Sequence, residues 1–476
     1  MVPLLTRRSA LALLAAAASA PWAAAARGAT AANEAGLSGS LGFIALDVVS
    51  GATLDGLNAD VGFAPASVAK VPTAMFALET LGPDWRFETR VIARGRLEDR
   101  WLRGSLALVG GGDPELDSAD VATLAEQASG VVARIEGPVG VEAGPVVPMI
   151  DDSVPPQAAY NPSVAGLNLN YNRVWLTWAR DKGRLSHAME AHAAGWSPEV
   201  RSVALALEGD DCGCPPFLHE ADAAGERWRV RQSLLAGQGG VWLPVRDPAP
   251  YAEDVFRSAL RRAGVAIEQG PPPQDGGSVV VARRHGRPLP AVLRDMLDFS
   301  TNLTAEAVGR AAAAARGVAA VDLAQSAAAM NLWAAERAGF APGDGFALAN
   351  HSGLSPDSRV TPRRMAELVR AAALSADGAL AKLLPEHPVD EKNARAPKGS
   401  VVLAKTGTLD FVRGLSGLAV TASGRSIAFA YFANDLARRD ATRGGAGGPP
   451  PGARPWRNRA VTLERKLVRE WLTRYA

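Results

Sequence analysis

Over residues 42–49 apolar and polar or small positions alternate with the two-residue period of a strand, and Ser50-Gly51 turns the chain toward a second strand near residues 52–54. A β-hairpin is therefore predicted at the start of the fold. The period lengthens over residues 68–81, where Ala69, Ala74, Met75, Ala77 and Leu78 recur at helical spacing and Gly82-Pro83 ends the run. Pro72 lies early in that helix, which predicts a tight or kinked first turn. Residues 86–146 are rich in strand-type residues and turns, among them Gly110-Gly111-Gly112-Asp113-Pro114, and Pro/Gly punctuation recurs at 155–162 and 270–277. The helical pattern returns at Leu293. Residues 304–315 are almost wholly small and apolar apart from Glu306 and Arg310, as in a buried helix. Residues 401–408, 417–421 and 426–433 read as an antiparallel meander, and residues 458–476 as an amphipathic terminal helix. No repeat of solenoid period is present.

The first thirty residues follow a different logic. Thr6-Arg7-Arg8-Ser9 precedes an apolar run over residues 10–20 and several small-residue cleavage sites over 23–26, the pattern of an export signal occupying residues 1–32. The paired arginines leave the twin-arginine and general secretory routes both open. Either address implies an exported protein, periplasmic or associated with the cell envelope. No later stretch holds eighteen consecutive apolar residues, so no membrane span is predicted beyond it.

At 476 residues and 47% hydrophobic the chain can bury an ample core, and at roughly 100–200 residues per domain two to four domains are predicted. The formal net charge of +2 supplies no basic footprint for nucleic acid. Only seven residues are lysine, so each lysine is informative. Cys212 and Cys214, the only cysteines, flank Gly213 and lack the second ligand pair of a structural zinc site; a surface-loop pair open to oxidation is the better reading. The six histidines show no metal-ligand spacing, and no cofactor is predicted.

Three short motifs, each occurring once, carry candidate chemistry. Ser67-Val68-Ala69-Lys70 puts a hydroxyl and an amine three residues apart at a helix start, on one face. A serine is a weak nucleophile until a neighbouring base takes its proton, and lysine can be that base. Ser300-Thr301-Asn302 lies where a loop meets the buried helix, either as an ordinary helix cap or as a pair of polar groups in a site. Lys405-Thr406-Gly407-Thr408 ends a strand, either as an unremarkable edge or as a carboxylate-binding edge whose Gly lets backbone approach closely.

Together the three resemble the signature of the penicillin-recognising serine enzymes. The 233 residues from Ser67 to Ser300 are too many for a compact class A β-lactamase and imply an inserted region. The chain is similar to the low-molecular-mass class C penicillin-binding proteins, the D-alanyl-D-alanine carboxypeptidase/endopeptidase family S13, which carry extra domains in that gap. Residues 106–116, 167–172 and 245–248 (Val-Arg-Asp-Pro) resemble segments of the family's insert. Residues 352–355, 360–362 and 415–417 resemble later segments of its catalytic domain. Thr301 stands where Asp is commoner, His351 precedes Ser-Gly-Leu, and Cys212-Gly213-Cys214 and residues 444–455 are peculiar to this chain.

The resemblance implies an α+β fold: a penicillin-binding protein/serine β-lactamase-like transpeptidase domain, an antiparallel sheet flanked by helices, with inserted, mainly β, accessory domains. The implied boundaries are 33–90 and 288–476 for the catalytic domain and 91–287 for the insert, read as two nested domains. Ser67 is implied as nucleophile, Lys70 as general base, and Ser300 as proton relay to the leaving amine. Asn302 would bind the acyl portion. Lys405, Thr406, Gly407 and Thr408 would hold the terminal carboxylate, with the backbone N–H groups of Ser67 and Thr408 as oxyanion hole. Peptidoglycan stem peptides are the implied substrates and β-lactams the implied covalent inhibitors, with no nucleic-acid partner and an open oligomeric state. A β-lactamase and a non-catalytic cell-wall or β-lactam-binding protein are the alternatives; a class C β-lactamase is disfavoured because the chain has no Tyr-x-Asn.

Overall fold

A computed structural model describes residues 35–222, 225–271, 276–376, 378–392, 394–442 and 449–476. The predicted export segment, residues 1–32, lies outside them, as does the part 444–448 of the peculiar stretch 444–455. The described chain divides into two compact units. The first holds residues up to Phe76, then 297–300 and 327–476; the second holds 77–296 and 301–326. The chain thus leaves the first unit inside the helix Lys70–Leu81 and re-enters it briefly at 297–300.

The first unit is built on a five-stranded antiparallel sheet. Its spatial order is Val401–Leu409, Val412–Val420, Ser426–Asn434, Ser40–Asp47, Thr53–Leu57. The N-terminal hairpin and the C-terminal meander of the sequence reading are therefore one sheet, joined where Ser40–Asp47 pairs with Ser426–Asn434 in antiparallel register. The pleat sends Phe43, Phe429 and Tyr431 into a core with Trp456, Leu467 and Trp471 of the terminal helix Ala453–Arg474. Trp471 lies 5.9 Å from Phe43 and 5.7 Å from Phe429, ring centre to ring centre. The helix Pro362–Ala373 packs on the same central strands with Met365, Leu368 and Val369 buried. With helices on the sheet, nearly every residue of Ser40–Asp47 and Ser426–Asn434 is buried, which a strand covered on one face alone would not show.

The second unit holds a larger sheet in the order Ala266–Glu268, Arg134–Glu136, Trp101–Val109, Glu88–Glu98, Gly277–His285, with Val139–Glu142 also pairing to Trp101–Val109. Two three-stranded sheets accompany it. The reading of residues 86–146 as strands and turns missed the α-helix Ser118–Ser129, and the mainly β insert that the resemblance implied also holds the α-helix Pro248–Arg262; the two bury Val121, Leu124, Val255 and Phe256 in the core of this unit. Their start signals are in the sequence: Asp117 and Asp120 form a reciprocal capping box, and Asp247 caps a helix with Pro248 in its first turn. The strand-rich composition around them outweighed those local marks. Cys212 and Cys214 form a disulfide in an exposed loop of this unit.

Candidate active site

The Ser67 turn begins with a 3-10 helix, Ala66–Ala69, that leads straight into the α-helix Lys70–Leu81, the tight first turn that Pro72 predicted. Pro72 is harmless there, because the first-turn N–H groups of a helix have no intrahelical acceptor. Ala66 has φ of +47°, a left-handed conformation that an alanine adopts only where its surroundings enforce it. Gly353 is one of those surroundings. At φ +75° its Cα lies so close to Ala66 that a Cβ would collide with the Ala66 carbonyl.

Lys70 is fully buried, with Nζ 3.0 Å from Ser67 Oγ, and it donates to the Ser352 carbonyl at 2.9 Å. The residue before Ser352 is tied to the same helix. Thr73 donates to the His351 carbonyl at 2.7 Å, and the His351 ring lies nearly parallel to Phe76, 5° between planes. His351, a departure from the family pattern, is thus a buried packing residue. An amine fixed by a carbonyl and touching a hydroxyl can take that hydroxyl's proton while the oxygen attacks.

The strand Val401–Leu409 brings the third motif to the same turn. A Cβ on Gly407 would fall 2.5 Å from the Pro65 carbonyl and 3.1 Å from the Ser67 nitrogen, so only glycine lets the strand lie this close to the serine. Thr408 is exposed, while Lys405 is 2% exposed and donates to the Thr406 carbonyl at 3.1 Å. Burial, helped by the positive Arg413 and opposed by Asp298, pushes the Lys405 ammonium down to about 8. The plain edge-lysine alternative does not fit such a buried cation.

Arg413 is Thr408's partner across the sheet, and its Nη1 donates to Thr408 Oγ1 at 2.9 Å. Its Nε and Nη2 each meet Glu464, fully buried on the terminal helix, at 2.7 Å, and His387 Nε2 lies 3.3 Å from the same carboxylate. This support for the strand was not read from the sequence, nor were Ser352 and Gly353 assigned to the site. Arg413 and Glu464 are 51 residues apart and carry no motif; Ser352-Gly353 was visible only as a family-like segment.

Ser300 also lies in the first unit, in the short segment 297–300 whose Asp298 acts on Lys405. Its φ of +60° is left-handed, in the tight link between the helices Leu289–Phe299 and Asn302–Ala315. Thr301 takes the N-cap position of the second helix, and no side chain caps it. The helix-cap alternative therefore loses its physical basis. Asn302 belongs to the second unit, where its Nδ2 donates to the Tyr160 carbonyl at 2.9 Å.

Among the described residues, Glu208, Cys212 and Cys214 form the one cluster with metal-ligand proximity, and its two sulfurs are bonded to each other. No helix of the described residues is long and apolar enough to cross a membrane.

Residues 28–447 match the D-Ala-D-Ala carboxypeptidase 3 (S13) family. The chain belongs to this family. It is accordingly a serine-type peptidase of the S13 group, as its motifs implied. The D-alanyl-D-alanine carboxypeptidase DacB of Haemophilus influenzae is 25% identical over 84% of this chain and 86% of its own. The D-alanyl-D-alanine carboxypeptidase of Actinomadura sp. strain R39 is 26% identical over 79% of this chain and 74% of its own. Penicillin-binding protein 4 of Haemophilus influenzae has the same fold, with a TM-score of 0.73 at 22% identity, covering 93% of this chain and 99% of that one. The Haemophilus protein has also been solved complexed with a β-lactam.

Proposed function

We propose that this S13 chain is an exported DD-peptidase that cleaves D-Ala-D-Ala ends and D-Ala-diamino acid cross-links of peptidoglycan through an acyl-enzyme on Ser67. One observation carries the reading: Lys70 Nζ, fixed by the Ser352 carbonyl, stands 3.0 Å from Ser67 Oγ. Lys70 takes the Ser67 proton as Oγ bonds to the carbonyl carbon of the penultimate D-Ala. The Ser67 and Thr408 N–H groups stabilise the oxyanion. The C–N bond then breaks, and the departing amine receives a proton relayed by Ser300. Water adds to the ester carbon, the Oγ–C bond breaks, and the shortened peptide leaves with Ser67 restored. Asn302 hydrogen-bonds the acyl portion, while Lys405, Thr406 and Thr408 bind the terminal carboxylate, for which a cation beside two hydroxyls is suited. A β-lactam presents the same amide and acylates the same oxygen.

Purified wild type and Ser67→Ala, incubated with stem pentapeptide, cross-linked dimer and a fluorescent penicillin, test the reading. Ser67→Ala is expected to lose both hydrolyses and covalent labelling together. Labelling retained without Ser67 would overturn the assignment, and rapid penicillin turnover by wild type would favour a β-lactamase.

A further inference from the structure

Val245-Arg246-Asp247-Pro248 has no role in the chemistry above, yet Arg246 ties down a distant loop of the second unit and Asp247 caps one of its helices. The segment 148–161 contains no helix or strand of its own, so carbonyls that its own turns do not pair need partners from elsewhere. Arg246 supplies three. Its Nη1 donates to the Pro148 carbonyl at 3.1 Å and to the Asn161 carbonyl at 2.6 Å, and its Nη2 to the Pro156 carbonyl at 2.7 Å. A planar guanidinium can serve three carbonyls of one loop at once; an ammonium has neither the reach nor the fork.

The arginine itself is anchored. Its backbone N–H donates to Glu226 at 2.9 Å, and the residue is 7% exposed. Asn161 completes the frame. Its Oδ1 accepts from the Ile150 and Asp151 N–H groups, and its Nδ2 donates to the Asp151 carbonyl. The neighbouring residue in the chain, Tyr160, presents the carbonyl that accepts from Asn302 Nδ2. Arg246 thus holds the carbonyl of residue 161, one peptide away from the carbonyl that orients the Asn302 amide.

We infer that Arg246 is a positioning residue for Asn302: by clamping the loop 148–161 it fixes the Tyr160 carbonyl, and with it the direction in which the Asn302 amide faces. The inference rests on the assignment of Asn302 to substrate binding. It gives the inserted region a part in the reaction, because loss of the clamp misdirects a substrate-binding group without touching nucleophile or base.

A double-mutant cycle on the full chain tests it, with Arg246→Gln, Asn302→Ala and the double variant. The readout is covalent labelling by fluorescent penicillin, resolved into initial binding and the rate of acylation. Arg246→Gln is expected to slow acylation by about ten- to a hundredfold with little change in initial binding, the scale of a misplaced group. In the Asn302→Ala background the same change is expected to be nearly silent, because the group it positions is already gone. Arg246→Gln acylating like wild type, or multiplying fully with Asn302→Ala, would overturn the inference. If Arg246→Gln does not fold, Arg246→Lys enters the same cycle with the same expectations. Ser67→Ala run alongside separates the two ideas. Labelling without Ser67 sinks the active-site assignment, whereas an unlabelled Ser67→Ala with an additive cycle sinks only the role of Arg246.

Discussion

Arg413 and Arg246 are each 7% exposed, yet the protein accommodates their charges differently. Arg413 meets a buried carboxylate, Glu464, through two parallel hydrogen bonds and spends its remaining nitrogen on Thr408. Arg246 directs its guanidinium at three carbonyls, and burial, only partly opposed by Glu226, draws its pKa down to about 10. A regular strand needs only to be held in place, and a neutralised pair does that. An irregular loop has unpaired carbonyls, and an arginine without a carboxylate on its guanidinium still has donors to give them. Where the backbone pairs itself, side chains can neutralise one another; where it does not, they must complete it.

The contrast is sharpest when the acids are removed. Glu464→Gln leaves Arg413 buried beside a neutral amide and is expected to destabilise the chain by about 3–5 kcal/mol in denaturant unfolding. Glu226→Gln removes an acceptor of the Arg246 backbone N–H and a partner of His219, and is expected to lose only about 1–3 kcal/mol. Equal losses would erase the distinction between the two arginines.

A smaller effect probes the Ser67 turn, which is shaped by backbone contact. Gly353→Ala places a Cβ against the Ala66 carbonyl at a φ that alanine resists, and about 1–3 kcal/mol of strain is expected together with slowed penicillin acylation. Normal acylation in that variant would mean the turn does not depend on this close approach.

Lys405 gives a pH test. Its folded pKa of about 8 lies below the ordinary 10.5, so between those values the unfolded chain binds the proton that the folded chain has released. The penalty for holding this buried charge is therefore fully present below about pH 8 and is relieved as pH rises toward 10.5. Stability measured across that window should rise in wild type and rise less in Lys405→Met. Affinity for a peptide carboxylate should move the opposite way, weakening as pH climbs through about 8. The smallest effect is expected far from all of this: Asp117→Ala removes a helix cap, and should lower stability by about 1 kcal/mol with acylation unchanged.

Local spacing made much of this legible. Ser67 and Lys70 meet because residues three apart share a helical face, and the Lys70–Leu81 helix, the C-terminal meander and the terminal helix follow from period alone. The helices Ser118–Ser129 and Pro248–Arg262 were signalled by caps that a strand-rich context hid. Ser300 looked like a possible cap, and its left-handed backbone could not be read from residue type. Ser352 accepts from a lysine 282 residues away, and no sequence pattern records such a partner.

The sequence by itself determined the chemistry available: one serine with a lysine at helical spacing, one Ser-x-Asn and one Lys-Thr-Gly-Thr, in the order of an S13 peptidase. Tertiary structure decided which carbonyls hold Lys70 and Asn302, which acid neutralises Arg413, and how deeply Lys405 is buried. The physical reason is range. Helical faces and strand periods are set by neighbours a few residues away, whereas desolvation and the pairing of buried polar groups depend on whatever the completed fold brings alongside.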